Sequence, residues 1–425
     1  MVQHILHKYL KFRERTESPT TFHRWSFLSC CAAVLERNVW FTDGDKQIYP
    51  SMYVMLVGSP GTRKSAAIKG CTKLLEESGY NKFSAQKTSK QKFVQDLAEA
   101  NLGDVLAGKT GLCDATFIAA DEFLDFIGIG NIEFTTLLTH LWDNHKAYKE
   151  SYKNSTKSYV ERPTVNLLGG STPAGLQTGL PAEAGGTGFL SRTILVYGEP
   201  STHKITFRRV ATAAENAEYL EFFQQLGELK GEMFYTEEGA DLLDNIYQES
   251  RPLDDSRLTF YHARRLEHLH KLCIIMAALR GKLTICDECV MEANTILTFT
   301  EEHMSKSFGE YGKSRHAEAT QKIIAFMEAA NRPVTADEMY KACSQDLERY
   351  ADIFLILQNL QRAERIICSS KSFILRKTSK TDRRKYTRFK LYIAENDYYE
   401  QYEQDQQQLS ELLGTATSSI GLDKT

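Results

Sequence analysis

The sequence predicts an α/β fold in which a parallel sheet is flanked by helices. Three apolar runs predict it, each ending in small or charged residues as buried strands do at the functional edge of such a sheet. Tyr53-Val54-Met55-Leu56-Val57 launches the turn Gly58-Ser59-Pro60-Gly61-Thr62-Arg63-Lys64-Ser65. Phe117-Ile118-Ala119-Ala120 ends in Asp121-Glu122, and the run from Thr164 to Gly170 ends in Ser171-Thr172-Pro173.

The turn reads as a triphosphate cradle. Gly58 and Gly61 let backbone N–H groups converge on phosphate oxygens, with Pro60, Thr62 and Arg63 completing the nucleotide-binding loop, Lys64 neutralises the terminal phosphates and Ser65 reaches a magnesium ion. Arg63 departs from the usual pattern, which has glycine directly before the lysine. Asp121 suits magnesium held through water, and Glu122 suits the orientation or deprotonation of an attacking water. The plainer reading of the pair is an ordinary helix N-cap. Together with the loop it points to ATP hydrolysis, with ATP and Mg2+ as the small molecules required.

Composition bounds the rest. The chain has 425 residues, 42% apolar content and a formal net charge of −3, so any nucleic-acid surface must be local. Nine cysteines are scattered and several, such as Cys30, Cys31 and Cys273, lie in apolar stretches, which suits structural thiols in a reducing compartment. Cys286 and Cys289 form one CxxC pair without a second; the expectation there is a helix start capped by Asp287. No apolar run approaches the ~20 residues of a membrane span, and the first residues do not resemble a signal peptide. A cytoplasmic protein is expected.

Element by element, residues 3–15 and 21–37 read as helices separated by Ser18-Pro19, and Val39-Trp40-Phe41 as a strand turned by Gly44-Asp45. Residues 1–50 thus form a helical segment before the core, residues 51–200. A helix from Ser65 to Ser78 ends at Gly79. The next helix is capped at Thr88 or Ser89, its lysines facing nucleic acid or solvent. A helix over 133–150 follows the acidic pair. Lys146, Lys149, Lys153 and Lys157 alternate with Tyr148, Tyr152 and Tyr159 around Asn154-Ser155-Thr156, a hairpin or loop that grips a phosphate backbone or simply faces solvent. Arg192 opens a strand at Thr193, placed either for a surface ion pair or for insertion against a neighbouring subunit's γ-phosphate.

Residues 201–312 read as a helical lid, its strongest helix running from Tyr261 to Arg280. Residues 313–394 alternate as three helices and a β-hairpin, the pattern of a winged helix. Such modules bind DNA or protein; Arg376, Lys377, Lys380, Arg383, Arg384, Lys385, Arg388 and Lys390 favour DNA. Residues 395–425 are too polar to pack and read as a disordered tail.

In that order the landmarks resemble an AAA+ ATPase, specifically the minichromosome maintenance (MCM) type of replicative helicase and related phage and prophage replication ATPases. The resemblance spans roughly residues 50–376 and rests mostly on short motifs. It implies an AAA+ P-loop ATPase core, a helical lid and a C-terminal winged helix. In this family alanine commonly stands at the last glycine of the loop, which makes Arg63 a smaller departure. The resemblance implies that Thr172 sits where the family has a polar γ-phosphate sensor, usually asparagine, and that Ser191-Arg192 is similar to its Ser-Arg finger. It further implies that Arg264, in Arg264-Arg265-Leu266-Glu267, is a second sensor and that Lys149, Lys153 and Lys157 lie on a pore hairpin. The family's oligonucleotide-binding domain has no counterpart, and no primase or polymerase module is fused. The implied function is an ATP-dependent, ring-forming DNA helicase or translocase, hexameric, in phage or mobile-element replication, with replisome proteins as further partners. The competing reading is a helicase loader or origin-binding switch without processive unwinding.

Overall fold

A computed structural model describes residues 5–106, 111–152, 155–179, 188–207, 211–309, 317–330, 332–344, 347, 349–362, 365–369, 372–375, 377–378 and 386–387. The chain forms two units, Met1–Gly312 and Lys313–Thr425.

The first unit opens with helices α1 (Ile5–Arg13) and α2 (Thr20–Leu35). α2 is apolar on all sides and buries twelve of its sixteen residues, which requires cover all round. It packs on the sheet and shares one apolar core with it, so the expected helical prelude is an integral layer. β1 (Val39–Asp43) and β2 (Lys46–Ile48) form an antiparallel hairpin turned at Gly44, whose φ of 55° suits glycine.

The sheet and its covering helices follow. They are β3 (Tyr53–Val57), α3 (Lys64–Glu77), α4 (Lys90–Ala98), α5 (Leu102–Leu106), β4 (Ala115–Ala120), α6 (Phe123–Ile127), α7 (Ile132–Trp142), β5 (Ala147–Tyr152), β6 (Ser155–Glu161), β7 (Thr164–Ser171), α8 (Pro173–Gly179) and β8 (Thr193–Tyr197). Four strands lie in the order β4-β7-β3-β8, all parallel. β3 and β7 are buried along their whole length, as strands covered on both faces must be. Val57 pairs with Ser171 and Tyr197, and Ala120 with Gly169, so the three sequence-predicted runs end at one edge. Ser89 caps α4 by accepting from the N–H of Lys92.

The helix expected over 133–150 ends at Trp142. Asn144 takes a left-handed φ of 53°, and the chain leaves as the antiparallel hairpin β5–β6. Arg37, 5% exposed, closes the root of this hairpin. It donates to the carbonyls of His145 (3.1 Å) and Pro163 (2.6 Å) and to the hydroxyl of Thr164 (2.9 Å).

The rest of the unit is α9 (Ala213–Glu228), β9 (Gly231–Glu232), β10 (Phe234–Tyr235), α10 (Glu237–Gln248), α11 (Thr259–His262), α12 (Arg265–Ala278), β11 (Thr284–Ile285) and α13 (Asp287–Met304). The single helix expected from Tyr261 to Arg280 is broken at Ala263-Arg264, and Arg264 is the N-cap of α12. Cys286, not Asp287, is the N-cap of α13; its sulfur lies 3.5 Å from that of Cys289. No helix among the described residues is long and apolar enough to cross a membrane.

The second unit has its own core, with Ile323, Met339, Ile353 and Leu357 at its centre. It contains α14 (Ala317–Ala330), α15 (Ala336–Cys343), α16 (Ala351–Arg362), the antiparallel hairpin of β12 (Ile366–Ser369) with β13 (Ser372–Leu375), and the short pair β14 (Lys377–Thr378) with β15 (Tyr386–Thr387). α16 begins at Ala351. Thr335 and Glu338 form a capping box on α15; Arg332 also pairs with Glu338 and holds its carboxyl down at about 2.

Candidate functional site

The carboxyl-terminal edge of the sheet gathers the loop and the acids. At the start of the loop Gly58 donates its N–H to the Ser171 carbonyl (3.3 Å). A Cβ on Gly58 would stand 2.6 Å from the Gly198 oxygen and 2.7 Å from the Thr62 hydroxyl, so only glycine fits. Pro60 lies on the exposed outer side of the loop, and Thr62, fully buried, closes it by donating to the Ser59 carbonyl at 2.6 Å. Gly61 takes φ 90°.

Arg63 adopts φ 61°, ψ 31°, the left-handed region that costs a non-glycine residue about 1 kcal/mol. The usual glycine at this position therefore has a backbone reason. The Arg63 side chain turns to Glu17 in the α1–α2 connection, at 2.6 Å, while Ser18 donates to its carbonyl at 3.2 Å.

Lys64 is the first residue of α3 and only 6% exposed. Its Nζ donates to the carbonyls of Gly58 (2.8 Å) and Ser59 (3.2 Å), so the ammonium sits inside the loop. Burial lowers its pKa, and the nearby Glu122 carboxylate opposes that shift. Ser65 follows, half-buried, on the first turn of α3.

Asp121 leaves the end of β4 and pairs with Lys69 on α3. Glu122 stands at the N-cap of α6, yet its side chain makes no capping hydrogen bond and is exposed. The ordinary helix-cap reading of this pair is not met. A cleft of about 430 Å³ is lined by Lys69, Glu76, Asp121, Glu122 and Asp125. Among the described residues no group of three or more His, Cys, Asp or Glu could hold a metal unaided. Ser65 supplies one hydroxyl here and Asp121 one carboxylate, the latter paired with Lys69.

β7 runs between the loop strand and the acidic strand. Thr172, just past its end, accepts from the Gly175 N–H at 2.9 Å, so the hydroxyl expected as a phosphate sensor also caps α8. Beside Gly198 a second cleft of about 300 Å³ is lined by Pro19, Tyr197, Phe299, His303 and Lys306. It is the end of α13, not α12, that reaches this edge.

Arg192 and Arg264 lie elsewhere. Arg192 directly precedes β8, whose first residue Thr193 pairs with Tyr53, the first residue of β3. That is the amino-terminal edge, a strand length of roughly 17 Å from the loop. Arg192 is 8% exposed and binds Asp143 through Nη2 (2.9 Å), and its guanidinium sits 5.6 Å from the Trp142 ring centre. Arg264 approaches the same carboxylate (4.0 Å) and the same ring (5.5 Å). Both line a cleft of about 720 Å³. Arg264, the N-cap of α12, thus stands at the edge opposite the loop, beside Arg192.

The sequence reading missed the groups that hold this pair. Asp143 and Trp142 were hidden in an over-long helix, although Asp-Asn after an apolar helical run is a stop signal. His268, fully buried, donates from Nε2 to the Ser191 carbonyl at 3.2 Å; burial lowers its pKa to about 4, so the ring is neutral. Lys271 donates to the Ser51 carbonyl (2.7 Å) with its Nζ 4.2 Å from the Trp142 ring centre.

On the hairpin, Lys149 is exposed and lies 5.3 Å from the Tyr159 ring centre. Lys157 falls in β6. Lys153, Arg376, Lys380, Arg383, Arg384, Lys385, Arg388, Lys390 and the tail expected over 395–425 lie outside the described residues. In comparisons with known proteins, the chain matches no family model and no curated protein.

Proposed function

We propose that the protein is an ATP hydrolase of the AAA+ kind that assembles head to tail into a ring and moves along DNA. One observation supports this reading: the glycine-rich loop with its acids and the Arg192–Arg264 pair occupy opposite edges of the same sheet. Lys64, Ser65, Asp121 and Glu122 stand at one edge; Arg192 and Arg264 stand together at the other. A single chain cannot close the pair on one phosphate, whereas two chains in register can. The order β4-β7-β3-β8, with Thr172 between loop and acids, supports the core reading.

In this reading Lys64 and the loop N–H groups bind the β- and γ-phosphates, and Glu122 orients the attacking water. Arg192 of the next chain neutralises charge developing on the transferred phosphoryl group, a contribution of about 10³–10⁵ in rate for such arginines. Arg264 acts from the same side as Arg192. Magnesium, held by Ser65 and Asp121, supplies further charge neutralisation when bound. The aromatic cleft beside Gly198 suits a flat nucleobase. Three helices and a hairpin in the second unit support a winged helix that meets DNA through the basic stretch following it. The β5–β6 hairpin, with Lys149, supplies phosphate contacts that are sensitive to salt and indifferent to sequence.

The test mixes Arg192→Ala with Lys64→Ala subunits. Each alone should lack turnover, and the mixture should regain a fraction of wild-type activity through interfaces that pair an intact loop with an intact arginine. Absence of recovery at every ratio refutes action between chains. Displacement of a strand from a fork by wild type but not by Glu122→Gln supports translocation. Robust turnover without displacement on any fork replaces it with the loader reading.

A further inference from the structure

Arg192 is the least exposed charged group at the cleft it is proposed to serve. Its side chain is 10% exposed, against 29% for Asp143 and 31% for Arg264. The cleft is lined by Arg192, Arg264 and the carboxylate of Glu267, and Asp143 stands behind them as the carboxylate bound directly to Arg192. Asp143 takes Arg192 through Nε (3.4 Å) and Nη2 (3.2 and 2.9 Å), and the Gly188 carbonyl takes Nη1 (3.3 Å). All three guanidinium nitrogens are engaged within the chain, although this is the group asked to reach another one.

Asp143 is rooted on both sides. Trp142 before it is buried, with Lys271 against its ring, and Asn144 after it exchanges hydrogen bonds with the Ser51 hydroxyl at 3.2 and 3.0 Å. The Ser51 carbonyl in turn accepts from Lys271. The carboxylate is fixed while its partners sit at the ends of long side chains, so separation requires the arginines to move.

The geometry points to Asp143 as a positioning residue that holds Arg192 back in the separate chain, while it shares Arg264 with Glu267 (4.0 and 3.8 Å), and that yields Arg192 only to a competing polyphosphate. This rests on the reading in which Arg192 serves a neighbour's nucleotide. Asp143 lowers the cleft's affinity for anions twice over, by repelling the incoming charge and by occupying its receptor.

The experiment uses the full chain carrying Lys64→Ala, which removes the loop lysine, and inorganic tripolyphosphate as the probe, titrated calorimetrically at low salt. Adding Asp143→Asn keeps the shape and one acceptor but removes the charge. It should tighten binding by about tenfold or more, the effect of deleting one like charge roughly 4 Å away at a partly exposed site. Adding Arg192→Ala to that variant should abolish the gain, and Asp143→Glu, which keeps the charge, should stay near the parent. Should the asparagine variant not fold, Asp143→Ser carries the same comparison. Unchanged or weaker binding in the neutral variants, with Arg192 still required, overturns the role of Asp143 and leaves action between chains standing. Indifference of binding to both Arg192→Ala and Arg264→Ala, with no recovery in mixed subunits, overturns the underlying reading instead.

Discussion

Gly170→Ala tests whether the contact between β7 and the acidic strand positions the carboxylates proposed to serve ATP hydrolysis. A Cβ on Gly170 would lie 2.2 Å from the backbone oxygen of Asp121, and this oxygen has to retreat by about 0.8 Å to reach the 3.0 Å that real contacts allow. Backbone cannot rotate away as a side chain can. Overpacking of this kind costs about 1–3 kcal/mol, reduced by up to about 1 kcal/mol because alanine also restricts the unfolded chain. In a unit of 312 residues that corresponds to a fall in Tm of up to about 5 °C. Displacing Asp121 and Glu122 by nearly 1 Å relative to Lys64 should lower ATP turnover by about 10²-fold. Gly169→Ala is the control, because there the new Cβ meets the flexible end of Met55, with Sδ at 2.9 Å, and the Phe123 Cβ at 3.2 Å, a far milder approach than 2.2 Å to backbone. Both substitutions sit in the same strand and change the unfolded chain alike, so their difference isolates the push on Asp121. Turnover and Tm would be measured side by side. Equal turnover and equal Tm in the two variants refute the positioning argument.

Acid should unfold the protein through histidines buried in the neutral state. Burial lowers His23 to about 3 and His268 and His270 to about 4, so between pH 6.5 and 4 the unfolded chain binds protons that the folded chain refuses. Their stabilisation is complete above pH 6.5 and should fall by up to about 4 kcal/mol per pH unit below it; denaturant titrations with the same midpoint at pH 6.5 and 5 rule this out. Lys271, lowered by burial to about 7, acts in the other window: its penalty is full below pH 7 and should lift as pH rises toward 10.5. Truncation after Gly312 should weaken DNA binding and flatten its salt dependence, as read by fluorescence anisotropy at several salt concentrations. Unchanged binding assigns the second unit to protein contacts.

The phosphate-loop edge was legible because it is local. A buried strand, a turn of small residues and a helix beginning at Lys64 lie within thirteen residues, Tyr53 to Ser65, and backbone sterics alone dictate most of their geometry. The capping signal of Ser89 was local too. The opposite edge was not, because its meaning lies in contacts between Asp143, Arg192 and Arg264, which are far apart in the chain. Apolar periodicity carried the helix past Trp142, since Tyr148 and Tyr152 continue a plausible stripe; the left-handed Asn144 and the tertiary hold of Arg37 on His145 override it. Arg264 looked like the head of a continuous helix because nothing in Ala263-Arg264 is a strong breaker. Its break is visible only in the folded chain.

The grip of Arg37 on both feet of the β5–β6 hairpin makes that arm a lever with a fixed fulcrum. One guanidinium, still charged because its pKa is lowered only to about 10, ties together the exit from α7 and the entry to β7. A load applied at the tip has little slack to absorb it at the root. It passes instead along β7 toward the loop strand, or back through Asn144 toward Asp143, so that the hairpin and the edge bearing Lys64 share a single stiff transmission.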